Sequence, residues 1–121
     1  MKIVVESTKT TPLIDFIDGY MKIQGKSIPT INLGFYKDLM NYLEKYAEEP
    51  QNTTVVDINF DYINCYSKKS MMDVFRILEK IHKKGNKIII NWYYSEEDDH
   101  MLELGCIYRS LVDLSFNFLL K

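Results

Sequence analysis

The stretch TTVVDINFDYINCYSKKSMMDVF, from Thr53 to Phe75, decides which fold this sequence encodes. Its first part, Thr53–Phe60, is rich in β-branched residues and has the length of one strand. After a polar junction, apolar or half-polar residues recur at the spacing of one helix face: Met71, Val74, Phe75, Leu78, Ile81 and His82. The stretch therefore predicts a strand that leads directly into a helix.

The residues before this stretch predict a hairpin and a helix. Asp18-Gly19 separates two short apolar segments within residues 12–25, and this dipeptide readily supplies the positive φ angles of a tight turn. The earlier segment KIVVE adds a further strand, whose pairing partner the sequence does not fix. A helix then runs from Leu33 until the breaker Pro50 ends it. Its apolar stripe consists of Tyr36, Leu39, Met40, Leu43, Tyr46 and Ala47.

The residues after the stretch predict one more helix between two strands. The sequence KKG at 83–85 suits the C-terminus of the second helix, and KIIINWYY at 87–94 has the composition of a strand. Ser95 with Asp98 matches a capping box, and SFNFLL at 115–120 is predicted as the last strand. The third helix has the apolar stripe Met101, Leu104, Tyr108 and Leu111.

Alternating strands and helices predict an α/β fold. We expect one domain over residues 1–121, with a mixed sheet made of the N-terminal β-hairpin plus largely parallel strands and covered by about three helices. Sites in such sheets favour the carboxyl ends of the strands. Two turns fit that description, DYINCYSKKS at 61–70 and YSEEDD at 94–99, and both are expected at the same edge.

Charge and composition narrow the classes of partner. A formal net charge of −2 disfavours nucleic acid and anionic membranes as partners, because both attract concentrated positive charge. The N-terminus carries only a short apolar run, so a cytoplasmic protein is expected. Cys65 and Cys106 lie in different predicted elements without metal-ligand spacing, which favours reduced thiols. No phosphate-binding glycine motif occurs in the sequence.

Ser67 lies at the predicted start of the second helix, and two interpretations of its role are possible. Its hydroxyl can cap the helix by accepting a backbone N–H bond. Alternatively it can carry a phosphate, which would meet the free N–H groups and the positive dipole end of the helix and add negative charge to a surface that faces a partner.

Cys65 also has two possible roles, as a nucleophile or as a structural residue. A thiolate near a helix N-terminus and next to Lys68 or Lys69 would have a lowered pKa, as a nucleophile requires. The base for such a site would have to be His100, since His82 lies some four turns away. The competing interpretation, which the residues favour, is a small, half-buried structural cysteine.

The turn EEDDH at 96–100 could hold a divalent ion if Asp57 or Asp61 converged on it. Acidic residues also stabilise the first turn of a helix, so a solvated helix start is the favoured interpretation. The aromatic residues at 92–94 are expected to pack in the sheet, because neighbours in a strand point to opposite faces. The lysines at 83, 84 and 87 are expected to form a solvated turn.

Several segments together resemble the SiaC-type bacterial regulatory phosphoproteins, whose fold is similar to the STAS domain of anti-sigma-factor antagonists. The resemblance covers nearly the whole chain. It is carried by TTPLIDF, GKSIP, YINCYSKKSMMDVFRILEKIHKKG and WYYSEEDDHMLELGCIYRSLVDLSF, in this order and spacing. Trp92, Tyr93, Asp99, Gly105 and Tyr108 fit the family pattern, mostly as determinants of the fold.

The resemblance implies a non-enzymatic switch that needs no cofactor. A protein kinase phosphorylates the turn before the second helix, a PP2C-like phosphatase reverses it, and the unmodified form binds a target such as a diguanylate cyclase. The implied partner-binding residues are Asn64, Cys65, Tyr66, Ser67, Lys68 and Lys69.

This chain departs from the family at two places. The family turn is similar to Asn-Thr-Ser-Ser-x-Lys, so Cys65 stands where the phosphorylated threonine is expected and Tyr66 also differs. Two outcomes follow: either Ser67 is the phosphorylation site in this chain, or the chain is not phosphorylated at this turn. The second outcome would leave a constitutive interaction module. The family's Ser-x-Pro-Glu-Asn is matched by residues 27–31, where Thr30 and Ile31 replace the Glu-Asn pair.

Overall fold

The computed structural model of the protein describes residues 2–29 and 34–121. Three helices and six strands follow one another in the order predicted, and the N-terminal segment adds the first strand. The elements are β1 (Lys2–Val5), β2 (Leu13–Ile17), β3 (Tyr20–Ser27), α1 (Gly34–Tyr46), β4 (Thr53–Ile63), α2 (Cys65–Lys83), β5 (Lys87–Tyr94), α3 (Asp99–Leu111) and β6 (Ser115–Leu120).

The strands form one six-stranded sheet in the order β1-β2-β3-β4-β5-β6. The pairs β1–β2 and β2–β3 are antiparallel, whereas β3–β4, β4–β5 and β5–β6 are parallel. The predicted mixed sheet is confirmed, and β2 is the pairing partner of β1 that the sequence did not fix. The hairpin turn is also confirmed, because Gly19 has a φ of 83°, which glycine adopts at little cost.

All three helices cover the same face of the sheet. One cross-strand row on this face consists of Phe16, Met21, Val56, Ile90 and Phe116, and the next consists of Ile14, Ile23, Ile58, Trp92 and Phe118. Tyr42 and Tyr46 of α1 pack edge-on against Phe16, and Phe75 of α2 packs against Phe116. Gly105 of α3 lies against Trp92, which is fully buried. The prediction that Trp92 belongs to the core is confirmed.

The strand β4 is three residues longer than predicted. The register between β3 and β4 shifts after Gly25, so that Gly25 pairs with Phe60 but Lys26 pairs with Tyr62. Asp61 is the extra residue of a β-bulge, and the pairing continues until Ser27 meets Ile63. Because of this bulge, the predicted long turn between strand and helix shrinks to the single residue Asn64.

The first helix also differs from its prediction. It ends at Tyr46, four residues before the breaker Pro50, and residues 47–49 form a turn. The predicted start at Leu33 lies outside the described residues. At the other end of the chain, the apolar stripe of α3 is only partly buried, since Met101 and Tyr108 are in the core but Leu111 is exposed.

Candidate functional site

Asn64 caps the N-terminus of α2. Its side-chain Oδ1 accepts the N–H of Ser67 at 3.0 Å, and its Nδ2 donates to the carbonyl of Pro29 at 2.7 Å. Its own backbone N–H donates to the carbonyl of Ser27 at 3.0 Å. The capping role predicted for Ser67 is therefore wrong. Asn64 takes it, because β4 extends to Ile63 and the helix begins at Cys65, two residues before Ser67.

Ser67 is fully buried beneath the first turn of α2. Its hydroxyl donates to the carbonyl of Ser27 at 3.0 Å and lies 2.7 Å from the hydroxyl of Ser27. The Ser27 hydroxyl in turn lies 2.5 Å from the hydroxyl of Tyr36, and burial raises the pKa of that phenol. The three hydroxyls form a buried polar network that joins β3, α1 and α2.

The other side chains of the first turn face solvent. Cys65 is exposed, which corrects the expectation of a half-buried structural cysteine: it occupies the first position of the helix, next to the cap. Tyr66 is 48% exposed, and Lys68 and Lys69 are exposed as well. Tyr62, at the end of β4, is 59% exposed. We call these five residues, Tyr62, Cys65, Tyr66, Lys68 and Lys69, the strand-end surface.

A nucleophilic Cys65 would need a histidine base, and the described residues do not supply one by a hydrogen bond. Among the described residues, no hydrogen bond joins Cys65 to a histidine. His82 lies near the far end of α2, where its Nδ1 is 3.1 Å from the carbonyl of Asn86. His100 is exposed in the first turn of α3.

The two predicted turns meet at one edge of the sheet, as expected. They enclose a cavity of about 270 Å³ between the end of β4 and the starts of α2 and α3. Its lining includes Asp61, Ile63, Lys68, Asp98, His100 and Leu104. Asp98 caps α3 by accepting the N–H of Met101 at 3.0 Å, so the capping residue is Asp98 and not Ser95.

Asp57 does not reach the acidic turn at 96–100. It lies on the sheet face that carries no helix, where Tyr20 donates to its Oδ2 at 2.5 Å and Asn91 donates to its Oδ1 at 2.8 Å. The hydrogen bond to Asp57 raises the pKa of Tyr20 to about 12. Within residues 2–29 and 34–121, no group of three or more metal-binding side chains has the arrangement that an ion requires. Glu96, Glu97 and Asp99 are exposed at the start of α3.

The polypeptide backbone of the strand-end surface is held from three sides. Besides Asn64 and the Ser27 network, the hydroxyl of Tyr108 donates to the carbonyl of Lys68 at 2.6 Å. Sequence reasoning missed Tyr62, Ser27, Tyr36 and Tyr108 as parts of the site. The sequence pattern assigns Tyr36 and Tyr108 to apolar helix stripes, and it places Tyr62 in the turn at 61–70 without marking it as a binding residue. For Ser27, the motif GKSIP contains a signal, since it includes this residue.

Among the helices of the described residues, none is both long enough and apolar enough to cross a membrane.

Comparisons with known proteins identify matches over nearly the whole chain. A family model described as the SiaC family regulatory phosphoprotein matches residues 5–121, which confirms the resemblance. An uncharacterized protein of Pseudomonas aeruginosa (strain UCBPP-PA14) is 28% identical over 119 residues, covering 97% of this chain and 93% of the relative.

Two crystal structures from Pseudomonas aeruginosa share the fold. Apo-SiaC has a TM-score of 0.89 and 24% identity, with 98% of each chain covered. A chain from the complex of the diguanylate cyclase SiaD with its activator SiaC has a TM-score of 0.88 and 24% identity, covering 98% of this chain and 99% of that one.

Proposed function

This chain belongs to the SiaC family of regulatory phosphoproteins, and from this premise we propose that it is a non-enzymatic bacterial regulator that binds partner proteins through the strand-end surface. The proposal treats residues 1–121 as one domain, acting in the cytoplasm without a cofactor.

The observation that carries the proposal is the chemistry of the strand-end surface. Tyr62 and Tyr66 expose about half of their side chains, with Lys68 and Lys69 beside them. Aromatic side chains are enriched among residues that dominate binding energy at protein interfaces, and neighbouring charges favour one class of partner. The backbone beneath is fixed by Asn64 and Tyr108, so little ordering cost arises on binding.

The proposed partners are signalling enzymes. The SiaC of Pseudomonas aeruginosa is described as the activator of the diguanylate cyclase SiaD, and by family membership we propose a cyclase of this class as the target here. A protein kinase and a PP2C-like phosphatase are the further proposed partners. Nucleic acid and membranes are not proposed, because the net charge of −2 gives no general attraction to them.

The proposal has two versions, which differ in whether phosphorylation controls partner binding. In the first, Ser67 accepts the phosphate and the partner changes. Because the Ser67 hydroxyl is fully buried and bonded to Ser27, a kinase would have to capture a state in which the first turn of α2 is open. The added phosphate would then hold the turn open, since a charge of about −2 cannot return to the buried network.

In the second version, the protein is a constitutive interaction module. Two observations favour it: Cys65 occupies the exposed first position of α2 without a hydroxyl, and the nearby hydroxyl of Ser67 is buried. Partner binding then depends on the strand-end surface alone.

The binding role is tested by affinity isolation of the tagged chain from its native bacterium, followed by quantitative mass spectrometry. We expect a cyclase, kinase or phosphatase to be enriched with the wild type and lost with Tyr66→Ala/Lys69→Glu. The control is Lys9→Glu, which changes the charge of an exposed lysine outside this surface. Equal recovery of all partners by the two variants would refute the role of the strand-end surface.

The two versions are separated by the intact mass of the chain after incubation with the cognate kinase. One added phosphate that disappears in Ser67→Ala supports the first version, and an unchanged mass supports the second. A third sample, Cys65→Thr, restores a hydroxyl at the exposed position. In the second version, we expect this variant to gain the phosphate that the wild type lacks.

A further inference from the structure

A groove of about 700 Å³ lies between the C-terminal ends of α1 and α2. Ala47 and Ile77, both buried, contribute apolar surface to its lining. Four lysines also line it: Lys45, Lys80, Lys83 and Lys84. A helix rises about 1.5 Å per residue, so Lys80 lies roughly 22 Å along α2 from Cys65 and the strand-end surface.

The lysines of α2 are only loosely paired. The Lys80 Nζ is 3.8 Å from Glu44 and the Lys83 Nζ is 3.9 Å from Glu79, and the two lysine side chains are 69% and 66% exposed. Lys84 donates to the carbonyl of Ala47 at 3.4 Å. Exposed ion pairs of this length are readily exchanged for other carboxylates. Three ammonium groups are therefore available along this wall.

Helix capping explains part of this charge. Lysines in the last turn complement the negative end of the helix dipole, which accounts for Lys45 in α1 and for Lys80 and Lys83 in α2. It does not explain why the lysines of α2 border an open, partly apolar groove. A neighbouring cavity that shares Lys45 is lined by Asp18 and Glu49, so the positive charge is concentrated on the side of α2.

We propose that this groove binds an acidic peptide segment of a protein partner. Carboxylates of the segment would lie against Lys80, Lys83 and Lys84. A peptide fits better than nucleic acid, because Glu44 and Glu48 in the same lining would repel a continuous phosphate backbone, whereas a peptide can space its acidic side chains between them.

This surface is additional to the proposed function and does not depend on it. The groove and the strand-end surface lie at opposite ends of α2, so one copy of the chain can hold two partners at once. Simultaneous binding would raise the local concentration of one partner near the other.

The test is the fluorescence anisotropy of a fluorescein-labelled octaglutamate peptide, titrated with the full chain at low ionic strength. We expect saturable binding that weakens about tenfold in Lys80→Glu/Lys83→Glu and also weakens as salt is added. The matched control, Lys9→Glu/Lys37→Glu, makes the same change in net charge at two exposed lysines outside the groove and should retain the affinity of the wild type.

Three results would overturn the proposal: no saturable binding, an equal loss in both double variants, or tighter binding of an oligothymidylate of the same length. Circular dichroism confirms that each variant is folded. The variant Tyr66→Ala/Lys69→Glu should keep its affinity for octaglutamate. A failure at the strand-end surface is thereby distinguished from a failure at the groove.

Discussion

The hydroxyls of Ser27 and Ser67 lie 2.7 Å apart, forty residues from each other in sequence, and neither side chain has any exposure to solvent. This contact joins the end of β3 to the first turn of α2. Since Tyr36 bonds to the same Ser27 hydroxyl, all the polar atoms of the network are satisfied without water.

The first prediction concerns Ser67. We expect Ser67→Ala to lower the free energy of unfolding by about 1 kcal/mol, because Ser27 keeps its bond to Tyr36. Ser67→Asp should lower it by about 3 kcal/mol or more, since it buries a carboxylate without a counter-charge. Urea denaturation measures both, and Ser7→Asp, at an exposed serine, serves as the control. Equal stability of the two Ser67 variants would show that the site is open in solution.

The second prediction separates the two roles of Asn64. Asn64→Ala loses both the cap on Ser67 and the bond to Pro29, and should cost about 2 kcal/mol of stability. Asn64→Asp keeps an acceptor for the cap but has no donor for the Pro29 carbonyl, so it should cost about half as much. Thermal and urea unfolding provide the comparison. If the two variants lose the same stability, the cap contributes nothing.

The third prediction concerns Gly105 in α3. A Cβ at this position would lie 2.6 Å from Trp92 Cδ1 and 2.7 Å from Phe118 Cε1. We therefore expect Gly105→Ala to destabilise the protein by about 2 kcal/mol, although alanine is the better helix former. Unfolding monitored by Trp92 fluorescence checks this. Gly85→Ala is the comparison. A Cβ at this position would have no atom within 4 Å, so the loss of stability would come only from the backbone strain of a φ of 104°.

The fourth prediction is a pH dependence centred on Glu79. Its Oε2 accepts the N–H of Asp113 at 2.7 Å, and this bond is the main cause that lowers the pKa of the carboxyl. Burial opposes the shift, whereas the hydrogen bond from Arg76 and the positive charge of Lys83 add to it. The ionised form therefore stabilises the fold fully above the ordinary pKa near 4.5, and that contribution disappears as the pH falls through the lower folded-state pKa.

Glu79→Gln tests this dependence. At neutral pH it should cost about 2 kcal/mol, and the difference from the wild type should shrink towards zero in acid. Glu44→Gln removes a carboxylate that is only loosely paired with Lys80, and it should have little effect at any pH. A Glu79→Gln penalty that persists unchanged in acid would contradict the assignment.

Local patterns were sufficient to predict most of the architecture. The strand-like composition of Lys87–Tyr94 and the dipeptide Asp18-Gly19 depend on neighbouring residues alone, and both predictions match the structure. The parallel pairing from β3 to β6 agrees with the prediction made from the alternation of strands and helices.

The junction before α2 could not be predicted in the same way. Asn64 and Ser67 are both good capping residues, and the choice between them depends on where β4 ends. That end is set by the bulge at Asp61, which lets pairing with β3 continue to Ile63. A bulge arises from contacts between distant strands, so nothing in the local sequence marks it. The burial of Ser67 and the exposure of Cys65 both follow from this shift.

Only one residue, Asn64, separates the central strand β4 from α2. A link this short has no slack, so a partner that pulls on or tilts the first turn of α2 transmits the force directly to the middle of the sheet. The pull is shared with β3 through Ser27, instead of being absorbed by a loop. The strand-end surface is thus mechanically rigid, and it should resist local opening as strongly as the core strands do.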